Sequence, residues 1–169
     1  RELQPLLDAH PGVVWLELAG AEAAHRAGQP AEADRRFSAL NARLPNDRAV
    51  AITWAQVLAE RNSVEAGRRA LAALRPLLGS AGDDPEFQRV YARANEIAGD
   101  PVRAGEAYAE AEYLTGNPEK ALLQLNTLKR RPDLDYYARA RIDARIAAIT
   151  PTVLELRRQG VKDMDQPRG

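Results

Sequence analysis

The chain has two histidines, His10 and His25, fifteen residues apart, and no cysteine. Thiolate metal sites and disulfides are therefore excluded. Glu22 precedes His25 by three residues and would share its helix face, but two ligands do not close a metal site. The pair reads instead as an exposed or groove-facing histidine beside an acid, and His10 before Pro11 reads as a polar group near a helix end. Glu106 with Glu110 and Asp133 with Asp135 have the residue types of an acid–base pair. Hydrolytic chemistry needs such carboxylates held across a closed pocket, and short exposed helices read more simply as solvated faces. No catalytic residue, metal ligand or cofactor is expected.

The chemistry that the residues do support is recognition. Glu22, Gln56, Arg89, Arg93, Glu96, Glu110 and Tyr113 recur where helical spacing places them on or near one inner surface. Arginine grips a carboxylate or a peptide carbonyl through several donors, and glutamine hydrogen-bonds an extended backbone without demanding charge. The same positions also serve as salt-bridged surface. Lys129, Arg130 and Arg131 form a cationic end before Pro132, which suits a helix C-terminus or an acidic partner. Without aromatic–basic interleaving or a wider basic stripe, nucleic acid is not expected as a partner.

Such residues need helices to hold them, and the composition supplies helix. Thirty-two of the 169 residues are alanine and β-branched residues are few, a mixture that favours helix and lets helices approach closely. The fold class is all-α. Equal numbers of Lys+Arg and Asp+Glu, 24 each, leave no global field to draw in nucleic acid or an anionic membrane. No stretch approaches the eighteen apolar residues that a membrane span requires, so direct membrane insertion is not expected.

Self-comparison reveals a period. Pro11 and Pro45 lie 34 residues apart, and each ends an apolar-periodic segment. Gly28 and Ala33 are followed one period later by Asn62 and Gly67, then after 37 residues by Gly99 and Ala104, and after only 17 by Gly116 and Ala121. The half-period step requires the helix around Tyr108 to close one hairpin and open the next. The expected helices are Leu3 to Ala9, Val13 to Ala27, Ala31 to Arg43, Arg48 to Arg61, Val64 to Leu78, Pro85 to Ala98, Pro101 to Thr115, Pro118 to Arg131, Leu134 to Ile149 and Pro151 to Gln159. Asp84, Asp100, Asn117 and Thr150 each precede a proline, the pattern of an N-cap followed by a residue with no N–H to satisfy. Residues 1–159 form the expected repeat domain, and 160–169 a polar, disordered tail.

These landmarks carry a resemblance. Gly28, Ala33, Phe37 and Pro45, then Gly99, Ala104 and Tyr108, resemble the tetratricopeptide repeat, a helix–turn–helix unit stacked into a solenoid. The departures are Asn62, Gly67 and a shortage of tryptophan, with only Trp15 and Trp54 present. The resemblance implies about four repeats after a half-repeat. A narrower likeness rests on residues 109–149, with EYLTGN, a Lys-Arg segment and the RIDARI helix. This segment is similar to the end of the repeat domain that follows the peptidase domain in periplasmic zinc metallopeptidases of outer-membrane protein assembly and quality control.

That likeness implies a periplasmic, non-catalytic accessory domain, since the HExxH helix that holds zinc in such peptidases is not in this sequence. The natural chain is expected to extend upstream. The implied role is to recruit or position client or assembly-partner proteins, possible clients including outer-membrane proteins and their assembly machinery. The alternative is a structural domain packed on the parent peptidase domain, limiting access to its active site.

Overall fold

The computed structural model describes residues 3–164, and these fold into an all-α, solenoid-like array in which each helix packs on the next. The order is α1 (Leu3–Ala9), α2 (Val14–Arg26), α3 (Pro30–Arg43), α4 (Arg48–Glu60), α5 (Val64–Leu74), α6 (Pro85–Ala98), α7 (Pro101–Leu114), α8 (Pro118–Lys129) and α9 (Tyr136–Arg158). A single 3₁₀ turn, Arg75–Leu77, extends α5. Pro76 lies in this turn, so the α-helix expected to reach Leu78 ends at Leu74, and Leu78 is exposed.

One corner recurs because one tripeptide recurs. At Gly28-Gln29-Pro30, Gly99-Asp100-Pro101 and Gly116-Asn117-Pro118 the glycine takes a left-handed φ, between 71° and 90°. The residue after it then donates its N–H five residues back, Gln29 to Ala24, Asp100 to Asn95 and Asn117 to Glu112, at 2.9–3.0 Å. This pairing satisfies the last carbonyls of one helix while proline starts the next. Asn62 takes the glycine's place between α4 and α5 with φ 48°, tolerable for a short polar side chain, and Ser63 then caps α5 through the Ala66 N–H.

Gly67, read from sequence as a departure, has its own packing reason. A Cβ there would meet the Ala98 backbone nitrogen at 2.6 Å and the Ala94 carbonyl at 3.0 Å, so the missing side chain is what lets α5 lie against α6. Their shared core holds Leu58, Leu74, Phe87, Val90 and Ala94, with Phe87 fully buried. A neighbouring cluster joins Ala21, Phe37 and Val57, where the rings of Phe37 and Trp54 stack at 6.1 Å.

Polar side-chain contacts tie layers together at about one sequence period of separation. His25 meets Glu60, Asp34 meets Arg69, Glu106 meets Arg141 and Glu110 meets Arg145, each pair 35 residues apart. Burial pushes the Asp34 carboxyl up, but hydrogen bonds from Arg61 and Arg69 outweigh it and hold it down at about 2.

Three expectations are corrected. The break at Pro151 does not exist: α9 runs unbroken from Tyr136 to Arg158 with Pro151 inside it. Thr150 is therefore no N-cap, and its hydroxyl donates back to the Ile146 carbonyl at 2.7 Å, a contact that helix interiors accommodate. Asn117 occupies an N-cap position, but its side chain donates to Glu112 and makes no cap bond.

The third correction concerns the tail. Gly160 repeats the left-handed corner, with φ 70° and Val161 N–H on the Leu156 carbonyl, and turns the chain back onto α8. Asp163, only 4% exposed, accepts the backbone N–H groups of Glu119 and Lys120 at 3.1 and 2.9 Å. It supplies the cap that Asn117 does not. The Met164 N–H bonds the Gly116 carbonyl. The disordered-tail reading thus fails for Gly160–Met164, while 165–169 lie outside the described residues.

Candidate functional site: a cleft between α4 and α6

Helix α4 touches α2 on one side and α6 on the other, so the first helices of successive hairpins share a face. Along it, α4 presents Gln56, Ala59 and Glu60, and α6 presents Arg89, Val90 and Arg93, around a cleft of about 360 Å³. Four-residue spacing on each helix, Gln56 to Glu60 and Arg89 to Arg93, puts these polar side chains in two facing rows. Buried Ala59 and Val90 give the cleft an apolar floor.

The charges differ in how far they are already engaged. Arg93 donates to Glu96 at 2.8 Å and to Asn62 at 3.3 Å. Glu96 also accepts from the Tyr108 hydroxyl at 3.3 Å, and burial, then the Glu96 charge, pushes the Tyr108 phenol up. Glu60 accepts from His25 Nε2 at 2.9 Å, linking α2 to the rim. Arg89, exposed, has no hydrogen-bond or ion-pair partner among the described residues. The cleft therefore offers a free guanidinium and a free primary amide beside apolar surface, with one acid already taken.

Of the seven residues singled out from sequence, Gln56, Arg89 and Arg93 line this cleft, and Glu96 adjoins it through Arg93. Glu22 stands half-buried one turn before His25 on α2. Glu110 and Tyr113 are elsewhere. Both Glu110 oxygens accept from Arg145 of α9, at 2.7 and 2.8 Å, and the same guanidinium lies 4.5 Å over the Tyr113 ring. They form a joint between α7 and α9, so they are not on the cleft.

The cationic end of α8 is likewise spent on its surroundings: Lys129 pairs with Asp143, Arg131 with Asp133, and Arg130 donates to the Thr127 hydroxyl. No protein-family model matches the chain, and no curated protein matches it in sequence. The cleft must therefore be read from its own chemistry.

Sequence reasoning missed Glu60 and the alanine–valine floor. Glu60 sits four residues after Gln56, a signal that was readable, whereas the floor residues looked like ordinary core. A second cleft of about 500 Å³ between α7 and α8, lined by Tyr108, Leu123, Leu128 and Arg131 among others, also had no sequence signature. Leu123 there is 65% exposed. Among the described residues no group of three or more histidines or acids is arranged to hold a metal ion.

Proposed function

We propose that this chain is a non-catalytic protein-interaction domain of tetratricopeptide type, with about four repeats, that holds an extended peptide segment of a client or assembly-partner protein in the α4–α6 cleft. The reading rests on one observation: Gln56, Arg89 and Arg93 converge over an apolar floor, and Arg89 is unpaired. An extended backbone exposes a carbonyl or an N–H at every residue. The Gln56 amide can donate and accept, Arg89 can take a carbonyl or an acidic side chain through two donors, and the Ala59–Val90 floor accepts a small apolar side chain. The association with a periplasmic zinc metallopeptidase and with outer-membrane protein assembly belongs to the same proposal and is supported by residues 109–149.

The test is fluorescence titration of the 169-residue chain with unfolded outer-membrane protein segments, some carrying acidic residues. Replacing Arg89 by glutamate should weaken binding about tenfold or more, the loss of one charge-assisted contact plus a repulsive one, and Gln56→Ala by a few-fold. Binding unchanged in the Arg89→Glu, Arg93→Glu double variant would remove the cleft from consideration.

A further inference from the structure

The face of α9 that points away from the core carries an apolar line from Tyr137 to Leu154. Ala138, Ile142, Ile149 and Val153 turn inward and are buried. Diametrically opposite, Tyr137, Ala140, Ala144, Ala147, Pro151 and Leu154 recur at steps of three and four and are all exposed, Tyr137 by 74% and Leu154 by 59%. Steps of three and four are the seam of two packed helices, yet no helix of the described residues covers this one.

The line is also self-complementary on reversal. Turning α9 end for end about the level midway between Arg145 and Ile146 maps Tyr137 onto Leu154, Ala140 onto Pro151 and Ala144 onto Ala147. Bulky ends meet bulky ends, and the small centre allows close approach. Charge follows the same symmetry. Asp135 caps the start of α9, and Asp133, just ahead of it with its side chain 57% exposed, pairs with its neighbour Arg131. At the other end Arg157 pairs with Glu119 of α8, and Arg158, its side chain 78% exposed, pairs only with its neighbour Glu155. Reversal sets acid against base at both ends and opposes the two helix dipoles. A patch that matches itself under a two-fold rotation is what an isologous dimer requires.

We propose that the outer face of α9 is a self-association surface, pairing two copies of this chain antiparallel with Ala144 of each against Ala147 of the other. A seam one helix wide, roughly 26 Å long, is smaller than a standard stable interface, so the dimer is weak, forming at roughly tens to hundreds of micromolar. The proposal concerns a different face from the α4–α6 cleft and stands or falls separately from it.

Sedimentation velocity on the 169-residue chain, from about 10 µM to about 500 µM, should show the mass rising from 18.6 kDa towards twice that value. Ala144→Glu sets two carboxylates near the axis and should abolish the rise while leaving the far-ultraviolet circular dichroism and peptide titration unchanged. Arg89→Glu should leave the rise intact. Because the chain has no cysteine, a single cysteine introduced at 144 or at 137 carries one spin label per copy. Antiparallel pairing puts the backbones at 144 about 10 Å apart and those at 137 roughly 25 Å apart or more. A monomer throughout the range, a dimer indifferent to Ala144→Glu, close labels at 137, or α9 protected only by a different protein would each overturn the proposal.

Discussion

Replacing Asp163 with alanine removes the side-chain cap that α8 has among the described residues and isolates the part that the returning tail plays in stability. The Asp163 carboxylate accepts from two backbone donors at once, Glu119 and Lys120, with 4% of its surface exposed. Loss of a helix cap costs about 0.5–2 kcal/mol, and an anion at a helix N-terminus adds a few tenths through the dipole. Two effects limit the loss: the freed N–H groups reach water once the tail lifts, and the Asn117 side chain, now bonded to Glu112, can swing round to cap.

The net expectation is about 1–2 kcal/mol, or a fall in Tm of roughly 3–6 °C for a chain of this size. Urea denaturation gives the energy. Amide exchange gives the location: Glu119 and Lys120 should exchange faster while amides of α4 and α6 hold their protection, and Asp163→Asn should fall between the alanine variant and the original. Unchanged stability with unchanged exchange at those two amides would refute the tail as a structural part of the fold.

Two further outcomes follow from the packing. Gly67→Ala should destabilise by about 1–3 kcal/mol net in urea titration, although helix propensity alone favours alanine by about 1 kcal/mol, because the new methyl meets the Ala98 backbone; a stabilised variant would mean that α5 and α6 do not approach as described. Asp34, held near 2 in the folded chain against about 3.9 when unfolded, contributes stability that is fully present above about pH 4 and lost as pH falls through about 2. After allowance for solvent screening this is of order 1 kcal/mol. Asp34→Asn should therefore narrow the stability gap between pH 5 and pH 2.5 by about that amount, and an equal gap in both proteins would show the pairs with Arg61 and Arg69 to be inert.

Most of the helix order was legible because it was written in local chemistry. The Gly-x-Pro tripeptides dictate both the left-handed corner and the helix start that follows, so those boundaries fell within a residue or two. Where a boundary depends on what lies across from it, the local signal misled. Thr150-Pro151 has the form of a cap, yet Ile149 and Val153 on either side are buried in the same core, and continuing the helix keeps both there at the cost of one backbone bond. The tail failed for the same reason. Val161 and Met164 are sparse apolar residues in a polar segment, and only the start of α8, more than forty residues away, gives Asp163 something to do.

The candidate site divided similarly. Equal spacing on α4 and α6 put Gln56, Arg89 and Arg93 together, while Glu110 and Tyr113, equally suited to a groove by residue type, were claimed by Arg145 from a helix whose position no local pattern encodes.

Helix α7 belongs to two registers. It packs on α6 as the closing member of one pair and on α8 as the opening member of the next, and through Glu106 and Glu110 it meets α9 at the distance that elsewhere separates equivalent helices. The helices before it are joined in the same way, α5 to both α4 and α6 and α6 to both α5 and α7, while the thinnest junction between consecutive helices lies between α3 and α4. Growth or shortening of this protein over evolutionary time should therefore fall at the stretch between Arg43 and Arg48, because a cut anywhere from α4 to α8 strips a helix of a closely packed neighbour.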